Sequence, residues 1–205
     1  MERELKMALD GPTDLARILT RLPEPADTVE QHNHYFVDPQ RRLSSIGMMV
    51  RVREERSEGA PSPRQVILTL KRRVSATDGF FVAHEVERSL DPEDWEEVRS
   101  GAQDLLSLSC DALQTIRDLG ASRLELRGTM VNLRRKIHLG GFVLEVDRTT
   151  FPNDVVESEI EVETDRPEEA RALLEEAARD AGITLRVQTR GKYGRLLEHL
   201  KRSGR

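Results

Sequence analysis

The chain has 205 residues, of which 37% are hydrophobic, 34% charged and only 4% aromatic, and its formal net charge is -5. That length supports one substantial core, and the acidic balance excludes a nucleic-acid or anionic-membrane binder held by bulk charge. The single cysteine, Cys110, excludes an internal disulfide and a paired-cysteine metal site. It is expected as a small buried apolar residue in a reducing compartment. Met1-Glu2-Arg3-Glu4-Leu5-Lys6 is charged where a signal peptide would need an apolar stretch, and no run reaches the length of a membrane span. A cytoplasmic protein is expected.

In chain order, residues 1–9 alternate charged and apolar side chains, which predicts a strand. Gly11-Pro12 breaks it, and Leu15, Ile18, Leu19 and Leu22 follow at helical spacing until Pro23-Glu24-Pro25. Strands are predicted at 28–37, 48–56, 66–73 and 80–90, with a Ser-, Gly- and Pro-rich loop at 57–63 and a turn at 76–79. Asp91-Pro92 predicts an N-cap followed by proline at the first helical position, and helical sequence then runs with interruptions to about Leu119. Strands resume at 122–139, turn at Gly140-Gly141, and return at 142–150 and 155–164. A helix opens at Asp165-Arg166-Pro167, shows an apolar face of Ala170, Leu173, Leu174, Ala177, Ala178 and Ala181, and ends at Gly182. A tail helix from about residue 191 carries Leu196, Leu197 and Leu200. With no internal repeat and no low-complexity linker, residues 1–205 are expected to form one domain. The predicted fold class is α+β: an eight-stranded antiparallel closed β-barrel with a polar interior and helices packed outside.

Alternate residues of a strand share a face. Glu2, Glu4 and Lys6 therefore fall together, as do Arg51 with Arg53, Lys71 with Arg73, Glu85 with Glu87, Glu145 with Asp147, and Glu159 with Glu161 and Glu163. The intervening residues are mostly Val, Leu and Ile. One such strand is what any half-exposed antiparallel sheet shows. Six of them, several carrying like charges in pairs, differ from a soluble surface, which intersperses the signs. A divalent cation satisfies paired carboxylates, and a polyphosphate satisfies a set of Arg and Lys. Turned inward, these faces make a hydrophilic tunnel whose apolar outer wall the amphipathic helices cover. His32 and His34 have a ligand-like spacing, but a hard divalent cation prefers oxygen. They are expected to be polar residues on a strand, and His84 and His138 are expected to point outward. Gly140-Gly141 reads as a hairpin turn, since no helix follows it to make a phosphate loop.

The order of segments is more specific than periodicity. Glu2-x-Glu4-x-Lys6 forms an ExExK string at the N-terminus. It is followed by His34-Tyr35-Phe36-Val37-Asp38-Pro39, Val50-Arg51-Val52-Arg53, Leu68-Thr69-Leu70-Lys71 and Glu85-Val86-Glu87. Asn132-Leu133-Arg134, Leu144-Glu145-Val146-Asp147, Glu159-Ile160-Glu161 and Lys192-Tyr193 complete the series. Over residues 2–193 this resembles the CYTH superfamily, the triphosphate tunnel metalloenzymes, and within it the stand-alone plant-type members. The resemblance implies an eight-stranded tunnel, a triphosphate substrate, and Mg²⁺ or Mn²⁺ as cofactor. At the matching positions it implies metal binding by Glu2, Glu4, Glu159 and Glu161. It implies phosphate binding by Lys6, Arg51, Arg53, Lys71, Arg134 and Lys192, with Arg73 sharing the role of Lys71 or standing at the tunnel mouth. Glu85, Glu87 and Asp147 resemble the remaining tunnel acids, which hold a second metal or orient water; Asp147 is grouped with the metal acids. Lys192, Arg53, Glu85 and Glu87 are the expected catalytic set. Asp38 stands where the family has Thr and is expected to be structural. Arg135 and Lys136 crowd Arg134, and alternation pairs Arg134 with Asn132 and Lys136. Glu163 is expected to lie too far along its strand to reach a metal.

The expected activity is hydrolysis of inorganic triphosphate to diphosphate and phosphate, by a monomer or homodimer whose only partner is the small triphosphate. Thiamine triphosphate would want an aromatic platform, and the only tryptophan, Trp95, falls in a predicted helix. The alternatives are a thiamine or nucleoside triphosphatase, a class IV-type adenylate cyclase, and a non-catalytic polyphosphate-binding module. The cyclase would need a purine pocket that the sequence does not locate, and simple phosphate binding would not need so many carboxylates.

Overall fold

The computed structural model describes residues 1–57 and 65–202. The elements in order are β1 (Glu2–Leu9), α1 (Pro12–Leu19), β2 (Asp27–Val37), α2 (Arg42–Ser45), β3 (Met48–Ser57), β4 (Gln65–Thr77) and β5 (Phe80–Ser89). Then come α3 (Pro92–Ser100), α4 (Asp111–Asp118), β6 (Glu125–Leu139), β7 (Phe142–Thr150), β8 (Val156–Glu163), α5 (Pro167–Ala181), β9 (Arg186–Val187) and α6 (Lys192–Arg202). The predicted strands and main helices all form. One-turn α2 and two-residue β9 are too short to leave a periodic signal. Of the loop expected at 57–63, Ser57 ends β3 and the rest lies outside the described residues.

The strand order is β5-β4-β3-β2-β6-β7-β8-β1, and β1 pairs back onto β5, so eight antiparallel strands close into a barrel. β1 is shared along its length. Glu2 to Leu5 face β5, while Met7 and Ala8 pair with Val187 and Arg186 of β9 beyond the point where β5 stops. Two hairpins turn on two residues each. Asp78-Gly79 joins β4 to β5 with φ of 48° and 76°, and Gly140-Gly141 joins β6 to β7 with φ of 57° and 79°. Paired positive φ values match the twist of the flanking strands and favour these residues.

The apolar strand faces point outward, and helices bury them. Val50, Val52, Leu68 and Leu70 pack with Trp95 of α3 and with Leu113 and Ile116 of α4. Leu5, Met7, Leu144, Val146, Ile160 and Val162 pack with Leu15 and Ile18 of α1 and with Ala170 and Leu174 of α5. The N-cap expected at Asp91 is present, its side chain accepting from the Glu93 amide at 2.8 Å. α6 is placed differently from the other helices. Its Leu196 and Leu200 pack on Tyr35, Met130 and Phe151. Tyr35 and Met130 are in phase with the inward residues Asn33 and Asn132, so α6 lies across one end of the bore rather than along the outer wall. Gly128 of β6 makes room, because a Cβ there would come within 3.0 Å of Leu200.

Candidate metal and phosphate site

Strand alternation sends charged residues from every strand of the barrel except β2 into the bore, where opposite charges meet within a strand, between adjacent strands and between strands one apart. Lys6 pairs with Glu4 at 2.8 Å and also with Glu161. Lys71 pairs with Glu4 at 3.1 Å, with Glu85 at 3.1 Å and with Glu2. Arg51 lies 3.8 Å from Glu85 and 3.5 Å from Glu87, and Arg53 lies 3.3 Å from Glu87 and 2.9 Å from Glu55. Gln31 of β2 donates to Glu55 at 2.7 Å, Asn132 to Gln31 at 3.0 Å, and Thr149 to Asn132 at 2.8 Å. Arg134 closes the circuit with a bidentate bond to Asp147 at 2.8 and 2.6 Å, a bond to Glu161 at 2.6 Å and a contact with Glu145. The polar ring therefore runs through all eight strands of the barrel.

The sequence-derived residues fall into distinct places. Asp147, Glu159 and Glu161 come together: each offers an oxygen, and these atoms lie within 4.8 Å of one another. Glu2 and Glu4 are not part of that group; they stand beyond Lys6, bound to Lys71. Lys192, from the first turn of α6, sits among the three acids at 2.7 Å from Asp147, 2.5 Å from Glu159 and 2.9 Å from Glu161. Arg73 is exposed, at a register shift in β4, and Glu163 is exposed at the end of β8. Arg134, Asn132 and Lys136 share a face, as alternation requires. His138 keeps that same phase, contrary to the outward placement expected for it, and is exposed beyond the buried stretch of β6. His34 is outside the barrel, 3.4 Å from Glu54 and against the Trp95 ring, and His32 bonds Glu30 at 2.8 Å. Asp38 is structural: its carboxylate accepts from the amides of Arg42 at 2.7 Å and Leu43 at 3.0 Å, which fixes α2. Cys110 is half-buried against the α3–α4 core rather than fully buried.

Several bore residues left no charge pattern to read. Gln31, Asn132 and Thr149 are neutral, and Phe81 is buried with its ring 5.7 Å from the Lys6 ammonium. Tyr35 stacks on Tyr193 at a centroid distance of 5.0 Å. Arg195 was legible in principle, because it follows Lys192 by three residues on one helical face. It is 6% exposed and bonds Glu157 at 2.7 Å and Glu159 at 2.6 Å.

Burial alone would discharge these groups, and their neighbours decide otherwise. Desolvation pulls the Lys6 and Lys192 ammoniums down, but the carboxylates around them outweigh it and raise both. Burial likewise pushes Glu161 up, but Lys192, Lys6 and Arg134 together hold it well below the usual carboxylate range. Glu2 shows the opposite balance. Burial first, then the neighbouring Glu4 carboxylate, pushes it up to about 8. Glu85 is also buried, but a hydrogen bond from Glu2 and the charges of Lys71 and Arg51 bring it down to about 2. Glu2 and Glu85 thus share one proton at neutral pH. Between 4.5 and about 8 the folded chain holds a proton on Glu2 that the unfolded chain has released. Stability from this group is therefore lost as pH rises through that window. Glu2→Gln removes the effect, so the difference in Tm, variant minus parent, should grow more positive from about pH 5 to about pH 9. A difference that stays flat in thermal melts across that range would rule out the shared proton.

The donor set fits a divalent cation. All three acids offer oxygen, as a hard cation requires, and the second oxygen of Glu159, Oε2, is buried with no hydrogen-bond partner. No helix among the described residues is long and apolar enough to cross a membrane.

Comparison with known proteins agrees with this geometry. No curated protein matches the chain. Among solved structures, the Hippeastrum protein HpAC1, described as an adenylyl cyclase candidate with a dominant triphosphatase activity, is 26% identical. It has a TM-score of 0.83, covering 100% of this chain and 97% of that one. A Bacillus halodurans protein named as an adenylate cyclase is 23% identical, with a TM-score of 0.68 over 95% of this chain and 98% of that one. PH1819 from Pyrococcus horikoshii is 20% identical, with a TM-score of 0.61 over 96% and 99%. Residues 1–189 match the CYTH domain, and with the closed barrel and its charged bore the chain belongs to the CYTH family.

Proposed function

We propose that this chain is a metal-dependent hydrolase that cleaves the terminal phosphoanhydride of a small triphosphate, inorganic triphosphate foremost. The observation that carries this reading is the closed bore in which Lys6, Arg51, Arg53, Lys71, Arg134 and Lys192 converge beside the Asp147–Glu159–Glu161 group. The triphosphatase activity ascribed to the Hippeastrum relative supports the same reaction class. Phosphate binding alone would not need buried acids beside the cations, since each ionised carboxylate costs desolvation and repels the ligand.

Asp147, Glu159 and Glu161 would hold the cation, Mg²⁺ or Mn²⁺, which supplies charge withdrawal from the phosphate oxygens. Arg51, Arg53 and Arg134 offer planar forks to the remaining oxygens, and Lys6 and Lys71 add point charges. Arg73, exposed on β4, is suited to meeting the substrate at the mouth. Held this way, the terminal phosphorus is open to in-line attack. Glu85 and Glu87 lie beside Arg51 and Arg53 and would orient the water; one of them accepts its proton as the new O–P bond forms. The bond to the bridging oxygen breaks, and diphosphate leaves with the electron pair. Arg53 and Lys192 stabilise the charge gathered on the transferring and leaving oxygens.

Inorganic triphosphate is favoured over its organic counterparts because the aromatic rings near the bore are engaged. Tyr35 and Tyr193 stack on each other, Phe81 lies beside Lys6, and Trp95 is outside the barrel with its indole donating to Glu54 at 2.8 Å. A panel of phosphate-release assays with triphosphate, ATP, GTP and thiamine triphosphate, with Mg²⁺ or Mn²⁺, tests the reading. The highest kcat/KM should fall on inorganic triphosphate, and chelation with EDTA should abolish release. Conversion of ATP to a cyclic nucleotide as the main product, or release that survives EDTA, would overturn it.

A further inference from the structure

Glu159 is the one member of the acid group with both a shared and a free oxygen. Its Oε1 accepts from Arg195 at 2.6 Å and forms an ion pair with the Lys192 ammonium at 2.5 Å, whereas Oε2 is buried without a hydrogen-bond partner. The two cations differ in kind. Lys192 is a point charge on a flexible stem and sits inside the group, where an incoming divalent cation would compete with it. Arg195 stands outside the group and is fixed on three sides. One arm of its fork reaches Glu159, the other reaches Glu157 at 2.7 Å, and its guanidinium carbon lies 5.5 Å from the centre of the Phe151 ring. Glu157 is held in turn by His199 at 2.7 Å, one turn further along α6. A rigid fork between two carboxylates two residues apart on β8 sets the rotation of both side chains.

We infer that Arg195 is a positioning residue: through its fork it fixes Glu159 by Oε1 and so aims Oε2 at the divalent cation. This rests on the reading that Asp147, Glu159 and Glu161 bind that cation. Groups that orient metal ligands typically matter by about 10–100-fold in metal affinity or activity. Charge counting predicts no change in Arg195→Lys and none between two variants of Glu157 that lose the same charge, whereas orientation predicts a loss. That difference makes the inference testable.

The probe is Mn²⁺ alone, titrated into the metal-free full chain without triphosphate and read by electron paramagnetic resonance. Arg195→Lys keeps the charge and loses the fork, so Mn²⁺ affinity should fall by about tenfold or more. A second pair of variants avoids the buried helix contact. Glu157→Gln and Glu157→Leu remove the same charge, but only glutamine leaves an oxygen for Arg195 to bond. The leucine variant should therefore bind Mn²⁺ about tenfold more weakly than the glutamine variant. Circular dichroism and thermal melts confirm that each variant is folded at the temperature of titration. Parental affinity in Arg195→Lys, or equal affinities in the Glu157 pair, would overturn the positioning role and leave the metal reading standing. A parent chain that takes up no Mn²⁺ would overturn both, whatever the phosphate-release panel shows.

Discussion

Lys192→Ala is expected to reduce turnover of triphosphate by about 10²–10³-fold, the usual cost of losing one donor aimed at transition-state charge. The same variant should bind Mn²⁺ more tightly in the absence of substrate, by roughly tenfold, or about 1.4 kcal/mol. The two effects have one origin. The ammonium lies within 2.9 Å of all three acids and acts as their tethered counter-ion. A divalent cation held by the same acids would compete with the ammonium, which would then be free to meet the substrate phosphates. Alanine removes the competitor and the phosphate ligand together. Single-turnover kinetics and a Mn²⁺ titration on one preparation separate the two. If the variant turned over at the parental rate, Lys192 would be left as packing for the acid group alone.

Arg134→Met should give the largest loss of stability. Among the described residues Arg134 is the only cation joined to Glu145, Asp147 and Glu161 at once, and Asp147 is fully buried. Methionine keeps much of the side-chain volume but strands those carboxylates, and breaking a buried ion pair from one side costs about 3–5 kcal/mol. Urea unfolding should show a lower midpoint with an unchanged m-value. Millimolar Mg²⁺ should restore more stability to the variant than it adds to the parent, because the excess negative charge is then partly neutralised. A loss of less than about 1 kcal/mol would show that Lys6 and Lys192 neutralise the acids unaided.

The wall of the barrel was legible because its period is two and its chemistry binary. In Val50-Arg51-Val52-Arg53 each valine marks the outer core and each arginine the bore, and register then follows from turns such as Asp78-Gly79 and Gly140-Gly141. Which charges meet was much less legible, since pairing depends on strand neighbours far apart in sequence. Glu2 and Glu4 carried the resemblance to metal ligands and Lys6 beside them was legible from alternation, but Lys71, which closure brings to both acids, comes from β4 and left no local sign. Lys192 carried the resemblance to a phosphate ligand; its carboxylate partners come from β7 and β8, and no local pattern names them. Neutral residues such as Gln31 and Asn132 gave no signal, because an amide in a strand reads equally well as surface. For Arg195 the helical spacing from Lys192 was available. What was missing was the position of α6 across the end of the bore, which depends on Gly128 and on an apolar patch from three separate elements.

Closure of the barrel also bears on how the chain reaches its native state. Glu4 of β1 is paired with Glu163 of β8, so closing the barrel requires the first strand to meet the last strand of its wall. Contacts this remote in sequence slow folding towards the millisecond-to-second range typical of non-local β topologies. On a ribosome the first strand would emerge long before its β8 partner, with its hydrogen-bonding groups unpaired along that edge. The charges of Glu2, Glu4 and Lys6, which later line the bore, would meanwhile keep that edge from pairing with another nascent chain. The ExExK strand would then serve twice: as a guard against aggregation while the sheet is open, and as part of the site once it has closed.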